Sequence, residues 1–274
     1  GVSILYLCIA QRLDLPLTII TPPGHIFLRH QELNIETTAR GIHTPSERYL
    51  GINTRSLAER TMKEVVGMAF VNQASLAWHG GDHKIAIDLY EKAMPYMPED
   101  DLLKMLLGIN YLIDGRIDQG CILFKKIAGK IDAHSVYADT LPQDYLAGNI
   151  DAEGISLAFQ MVDEGRESIL KKQAVLAEKI TRYPKFRAGL LQLATTYMQL
   201  SRHGEALEVL QKYHAIDPHD PTVEYYLAAL CLERFNFKKA WEHYTFAKAT
   251  TSARDHNPIA LKSLHRQLKI TYPE

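Results

Sequence analysis

Two consecutive stretches decide the fold: RAGLLQLATTYMQLSRHGEALEVLQKYHAIDPHD, residues 187–220, and PTVEYYLAALCLERFNFKKAWEHYTFAKATTSAR, residues 221–254. Laid one over the other they agree in phase, Ala206 on Ala240 and Leu210 on Tyr244. The same phases recur upstream, at Ala86 and Gly120 and at Tyr90 and Phe124. Pro98, Pro184 and Pro218 close three of the units. Self-similarity at a period of about 34 residues means stacked helical hairpins, each unable to bury its apolar face alone. In register the units are 67–100, 101–134, 153–186, 187–220 and 221–254, with an insertion at 135–152 containing Leu141-Pro142. Residues 258–270 read as a capping helix that shields the last apolar face.

Where the helices of a hairpin cross, only a small side chain lets the backbones approach. The first unit supplies Ala74, Ala86 and Ala93, and the last supplies Ala228, Ala240 and Ala247. The second has Gly108 and Gly120 with Ile127 at the third place; the fourth has Ala194 and Ala206 with Tyr213 there. The third departs most, with Gln160, Lys172 and Lys179, and keeps Leu176 and Pro184. This pattern resembles the tetratricopeptide repeat. The resemblance implies a concave face lined by the first helix of each unit: Val71, Ser75 and Trp78, then Met105, Ile109 and Leu112. Leu191, Thr195 and Met198 continue it, followed by Tyr225, Ala229 and Leu232. The Lys/Arg/Asn set that grips a peptide carboxylate in this family is absent. The expected partner is therefore a protein or peptide with an apolar or aromatic segment, or the chain's own N-terminal domain.

Composition excludes several classes. Hydrophobic residues make up 46% of the 274 positions, enough for a substantial core, and the net charge is −1. A nucleic-acid partner, which calls for a basic stripe, is not expected. Cys8, Cys121 and Cys231 are far apart and odd in number. They fit reduced thiols in a cytoplasmic setting better than a disulfide framework. No apolar run has the length of a membrane span. No phosphate loop, zinc-protease motif or nucleophile elbow is found, and no metal or cofactor is expected. His79-Gly80-Gly81-Asp82-His83 falls in the turn of the first unit, where Gly and Asp serve turn geometry. His25 and His30, five apart on an expected strand, point to opposite faces.

The first 54 residues are unlike a repeat. Residues 2–13 are apolar almost all round, as in a fully buried helix, and Leu15-Pro16 ends it. Residues 17–21, 25–29 and 33–36 read as strands, with Thr21-Pro22-Pro23-Gly24 as a turn. Thr44-Pro45-Ser46-Glu47 reads as a capping box opening a short helix, and the helical period takes over from about residue 55. An apolar helix, then Arg12-Leu13-Asp14-Leu15-Pro16, then Pro23-Gly24-His25-Ile26-Phe27-Leu28-Arg29, all ahead of helical repeats, resembles the SirB-type family. In that family a transglutaminase-like core precedes tetratricopeptide repeats.

The resemblance implies a mainly α chain: a helical-hairpin solenoid over 55–274, preceded by a truncated α+β transglutaminase-like (papain-like) segment over 1–54. It also implies a Cys at the start of the buried helix, a His on one strand and a carboxylate on the next. His25 takes the His place and Glu36 the carboxylate place, with Glu where the family has Asp and Thr37 where it has Pro. The family's Cys would fall at or just before Gly1. Ser3 lacks an activating context, and Cys8 is expected mid-helix and buried. Two functions follow. One is a protein-interaction scaffold whose transglutaminase-like module is inactive as it stands. The other is a cysteine-dependent acyl-transfer or hydrolase enzyme whose nucleophile lies upstream of Gly1.

Overall fold

The computed structural model describes residues 2–158 and 165–272. Its first part is a small α+β layer. Helix α1 (Val2–Arg12) precedes strands β1 (Thr18–Thr21), β2 (Phe27–His30) and β3 (Leu33–Ile35). Two 3-10 turns, Thr37–Ala39 and Ser46–Tyr49, lead to β4 (Ala58–Arg60). The sheet order is β3-β2-β1-β4 with antiparallel pairing throughout. Ile19 stands opposite Leu28, and Leu28 opposite Ile35. Side chains alternate along a strand, so these three share a face, which Leu7 and Val65 cover. Ile20 and Phe27 point the other way, and the Tyr49 ring stacks on Phe27 at 4.8 Å.

Several expectations are corrected here. Helix α1 buries Leu7 and Ala10, but Val2, Ile4, Leu5 and Ile9 stay exposed, because it touches the sheet along one stripe only. Cys8, expected buried, is exposed on that outer side. The Thr44–Glu47 box is absent: Pro45 precedes a 3-10 turn without a side-chain cap. Ser46 instead accepts hydrogen bonds from Arg29 and Asn34. The helical period starts at Met62, not 55, because Ala58–Arg60 pairs with β1. A genuine capping box stands at that junction, where the Thr61 hydroxyl accepts from the Glu64 N–H and the Glu64 carboxylate accepts from the Thr61 N–H. His25 and Glu36 lie just outside the strands expected to carry them, His25 before β2 and Glu36 after β3.

The rest is helical. The hairpins are α2 (Met62–His79) with α3 (His83–Ala93), and α4 (Asp101–Ile113) with α5 (Ile117–Ile127). After the short α6 (Leu141–Leu146) come α7 (Ala152–Ala158) and α8 (Arg166–Arg182). The array continues with α9 (Arg187–Gln199), α10 (His203–Ile216), α11 (Pro221–Glu233) and α12 (Phe237–Ser252), and ends with α13 (Ile259–Thr271). The small residues at the crossings are shut off from solvent, Ala74, Ala86, Ala194, Ala206, Ala228 and Ala240 among them. The second unit shows why glycine stands there: a Cβ on Gly120 would come within 2.5 Å of Leu112, and one on Gly108 within 2.8 Å of the Phe124 ring. Tyr213 occupies the third small site of its unit by sending its hydroxyl to Asp220, 2.6 Å away. Gln160 lies outside the described residues.

A strap, residues 51–56, joins the two ends of the array. Thr54 bridges Ser135, and the N–H groups of Val136 and Tyr137 donate to the Asn53 side chain. Ile52 enters the core of α11, α12 and α13, beside Ala228, Trp241 and Leu264. Arg254 donates to the carbonyls of Asp132 and Ser135, so the start of the insertion lies between the strap and the last repeat. Helix α6 closes the same corner. Asp144 accepts from the N–H and side chain of Arg187, whose guanidinium also reaches Asp217 at 2.8 Å.

Candidate functional site

The register of β2 on β3 sets the geometry of the N-terminal site. One step past Leu28↔Ile35, Glu36 falls opposite Phe27, and His25 becomes its diagonal neighbour on the same face. The side chains meet: His25 Nε2 is 2.8 Å from Glu36 Oε2. The Glu36 carboxylate is almost fully buried, while His25 keeps about a third of its side-chain surface. The Tyr49 hydroxyl donates to Glu36 Oε1, and the Tyr49 ring stacks on His25 at 5.9 Å. Asn34 holds the loop that carries Tyr49, donating to the Thr44 carbonyl and to Ser46.

In chemical terms this is an oriented imidazole. With Nε2–H given to the carboxylate, Nδ1 is the nitrogen left with a lone pair, the tautomer a general base needs. Helix α1 packs on the opposite sheet face; its first turn reaches this edge through Ser3, whose hydroxyl is 2.8 Å from that of Thr37. The structure thus brings His25 and Glu36 together. Tyr49 is the member that sequence reading missed. It sits in an irregular loop, and no periodicity marks such a residue.

The expected groove is only partly a groove. Val71, Ser75, Trp78, Met105, Leu191, Thr195, Met198, Tyr225, Ala229 and Leu232 are half-buried. Ile109 and Leu112 are fully buried, packed with Leu141, Ile150 and Ile155. That corrects their reading as open lining: the insertion and α7 cover them. Tyr225, Ala229 and Leu232 pack against the cluster that holds Ile52. At the fifth unit the strap therefore takes part of the face a partner would use.

One group of side chains able to hold a metal is assembled among the described residues: His214, Glu224 and His243. Sequence reading assigned no metal site. Ten and nineteen positions separate these residues from one another, and no local spacing announces them.

A family model described as the transglutaminase-like superfamily matches residues 2–50. No curated protein sequence matches the chain. Among solved structures, a thermophilic TPR protein of Thermus thermophilus is 16% identical, with TM-score 0.37, over 74% of this chain and 99% of that one. A tetratricopeptide repeat protein from Parabacteroides merdae is 14% identical, with TM-score 0.38, over 73% of this chain and 69% of its own. MamA from Desulfovibrio magneticus is 15% identical, with TM-score 0.34, over 71% of this chain and 98% of its own. The family match and the hairpin array give a transglutaminase-like segment followed by helical repeats of the tetratricopeptide type. No helix among the described residues is long and apolar enough to cross a membrane.

Proposed function

We propose that this protein is an interaction scaffold of the SirB-type arrangement, whose repeat array holds a protein segment along its first-helix face. The observation that carries this reading is the line of half-buried side chains from Trp78 and Met105 to Leu191, Thr195 and Met198. The line is mostly apolar and carries no charged clamp, so the partner segment is apolar or aromatic. The strap at Ile52 takes part of the fifth unit's share of that face, so the middle of the array is the stretch left for the partner. A display library of short peptides panned on the purified chain tests this. Aromatic and aliphatic peptides are expected, with affinity lowered at least tenfold by Met198→Glu at unchanged helicity. Recovery of charged peptides indifferent to that substitution would reject the reading.

A second reading rests on the bond between His25 and Glu36. In a cysteine-dependent acyl-transfer or hydrolase enzyme, the carboxylate holds the imidazole while Nδ1 takes the thiol proton. It requires a thiol at Nδ1. A burst of acyl-group release from an activated ester, abolished by His25→Ala, would establish it. Release indifferent to that substitution would reject it.

A further inference from the structure

We propose that His214, Glu224 and His243 form a site for a divalent transition-metal cation of the zinc class, joining the last two repeats. The three ligands come from three helices, α10, α11 and α12. Glu224 Oε1 lies 2.6 Å from Nδ1 of His214, and Oε2 lies 2.8 Å from Nδ1 of His243. Nitrogen and oxygen donor atoms of the three residues all fall within 4.8 Å of one another. A zinc ion holds its ligand atoms at about 2.0–2.2 Å. It therefore fits this triangle after small side-chain rotations. The imidazole rings stand edge to face at 5.3 Å, so both nitrogens converge on one carboxylate.

Charge supplies the second argument. Glu224 is buried, with 1% of its side chain exposed, and its ion pairs among the described residues are to these two imidazoles. Neighbouring buried acids are treated otherwise. Asp144 and Asp217 face the permanent charge of Arg187. Asp220 accepts from Tyr213 and from the first N–H groups of α11. A buried carboxylate is stabilised by a counter-charge or by hydrogen bonds that satisfy its oxygens. At Glu224 the partners at hand are the two imidazoles, and a bound cation would supply the full counter-charge.

Two imidazoles and one carboxylate are a three-ligand zinc set with a fourth position open to water. The nitrogen donors favour zinc, cobalt or nickel over magnesium or calcium. His214, about a third exposed, gives the ion a way in. On binding, each neutral imidazole carries its proton on Nε2 and presents the Nδ1 lone pair. The two hydrogen bonds to Glu224 give way to metal bonds, and an imidazole that was charged releases a proton.

The test uses the full chain with Cys8→Ser, which removes an exposed thiol that could bind metal by itself. The chelator-treated protein is titrated with Co²⁺ and then with Zn²⁺. One saturable equivalent is expected, with visible d–d bands that Zn²⁺ abolishes and a higher melting temperature with zinc present. His214→Ala and His243→Ala are each expected to weaken binding by more than about tenfold, the scale set by loss of even an outer-shell partner. His83→Ala, at the start of α3, should leave binding unchanged. Circular dichroism confirms folding, and His243→Gln replaces any alanine variant that misfolds. Absence of saturable binding by the parent chain would overturn the proposal. So would equal affinity in the folded His214 and His243 variants.

Discussion

His256 Nε2 lies 2.8 Å from the carbonyl oxygen of Gly51, 205 residues earlier in the chain. The carbonyl can only accept, so this ring nitrogen carries the proton. Next to it, Ile52 is sunk into the C-terminal core. Ile52→Ala is expected to cost about 2–5 kcal/mol, the range for emptying a buried aliphatic site. His256→Ala leaves a carbonyl without its partner, at about 1–3 kcal/mol. Denaturant unfolding gives the sums. Hydrogen exchange should show residues 51–56 and 135–137 losing protection together.

Arg187 ties α6 to the repeat junction through Asp144 and Asp217, both buried. Burial opposes its charge, but the hydrogen bonds and charges of the two aspartates win and push its pKa up. Arg187→Met leaves two buried acids facing each other without a cation. A loss of about 3–5 kcal/mol is expected, since breaking a buried pair strands its partner. Equilibrium unfolding near neutral pH should show it, and unchanged stability would mean solvent reaches the aspartates.

Asp220 gives a pH dependence with a definite sign. Burial pushes its carboxyl above the usual aspartate range, against the hydrogen bonds from Tyr213, Thr222 and Val223 that favour the anion. The native state therefore holds this proton to higher pH than the unfolded chain does. The contribution is fully present below the unfolded pKa and is lost as pH rises through the folded one. Asp220→Asn keeps Oδ1 as the acceptor for the cap and puts an amide N–H, which can donate to the phenol oxygen, at the position facing Tyr213. The variant should gain stability relative to the parent as pH rises from about 4, as measured by parallel melts across pH.

Cys8 and Cys231 should separate cleanly under iodoacetamide. Cys8 is exposed and is expected to label in the native protein, with or without His25→Ala. Cys231 is buried; desolvation pushes its thiol up, although Lys239 and Arg234 pull the other way. Its labelling should require denaturant. Fast alkylation of Cys8 that slows on loss of His25 would make Cys8 the nucleophile.

Ala206 sits at a helix crossing with no exposed surface, packed among Leu193, Leu210 and Tyr213. Ala206→Leu is expected to cost about 1–3 kcal/mol by overpacking, read from the denaturation midpoint.

The helices were legible because their determinants are periodic. Ala206 and Ala240 mark crossings, and Gly108 and Gly120 stand where a methyl group would strike Phe124 and Leu112. The bond between His25 and Glu36 was legible only through a family resemblance; Tyr49 had no such help. Helix α1 misled for a physical reason: an apolar stretch states what could be buried, and the number of neighbours decides what is. Ile109 and Leu112 were misread because an insertion has no repeat phase from which to infer what it covers. The meeting of His214, Glu224 and His243 depends on the angle between two hairpins, which no short-range spacing encodes.

The strap also sets an order of events during synthesis. Gly51 leaves the ribosome early, but its partner His256 is made 205 residues later, about 10–40 s at 5–20 residues per second. Through that interval β4 can already pair with β1 and the first hairpins can close, while Ile52 waits without its core. Asn53 and Thr54 can meet residues 135–137 earlier, but docking of Gly51 and Ile52 is a late step, available only once α11, α12 and α13 exist. A nascent chain halted before α13 carries every contact of the first repeats and those of Asn53 and Thr54 to residues 135–137, with the Ile52 side chain short of its full core.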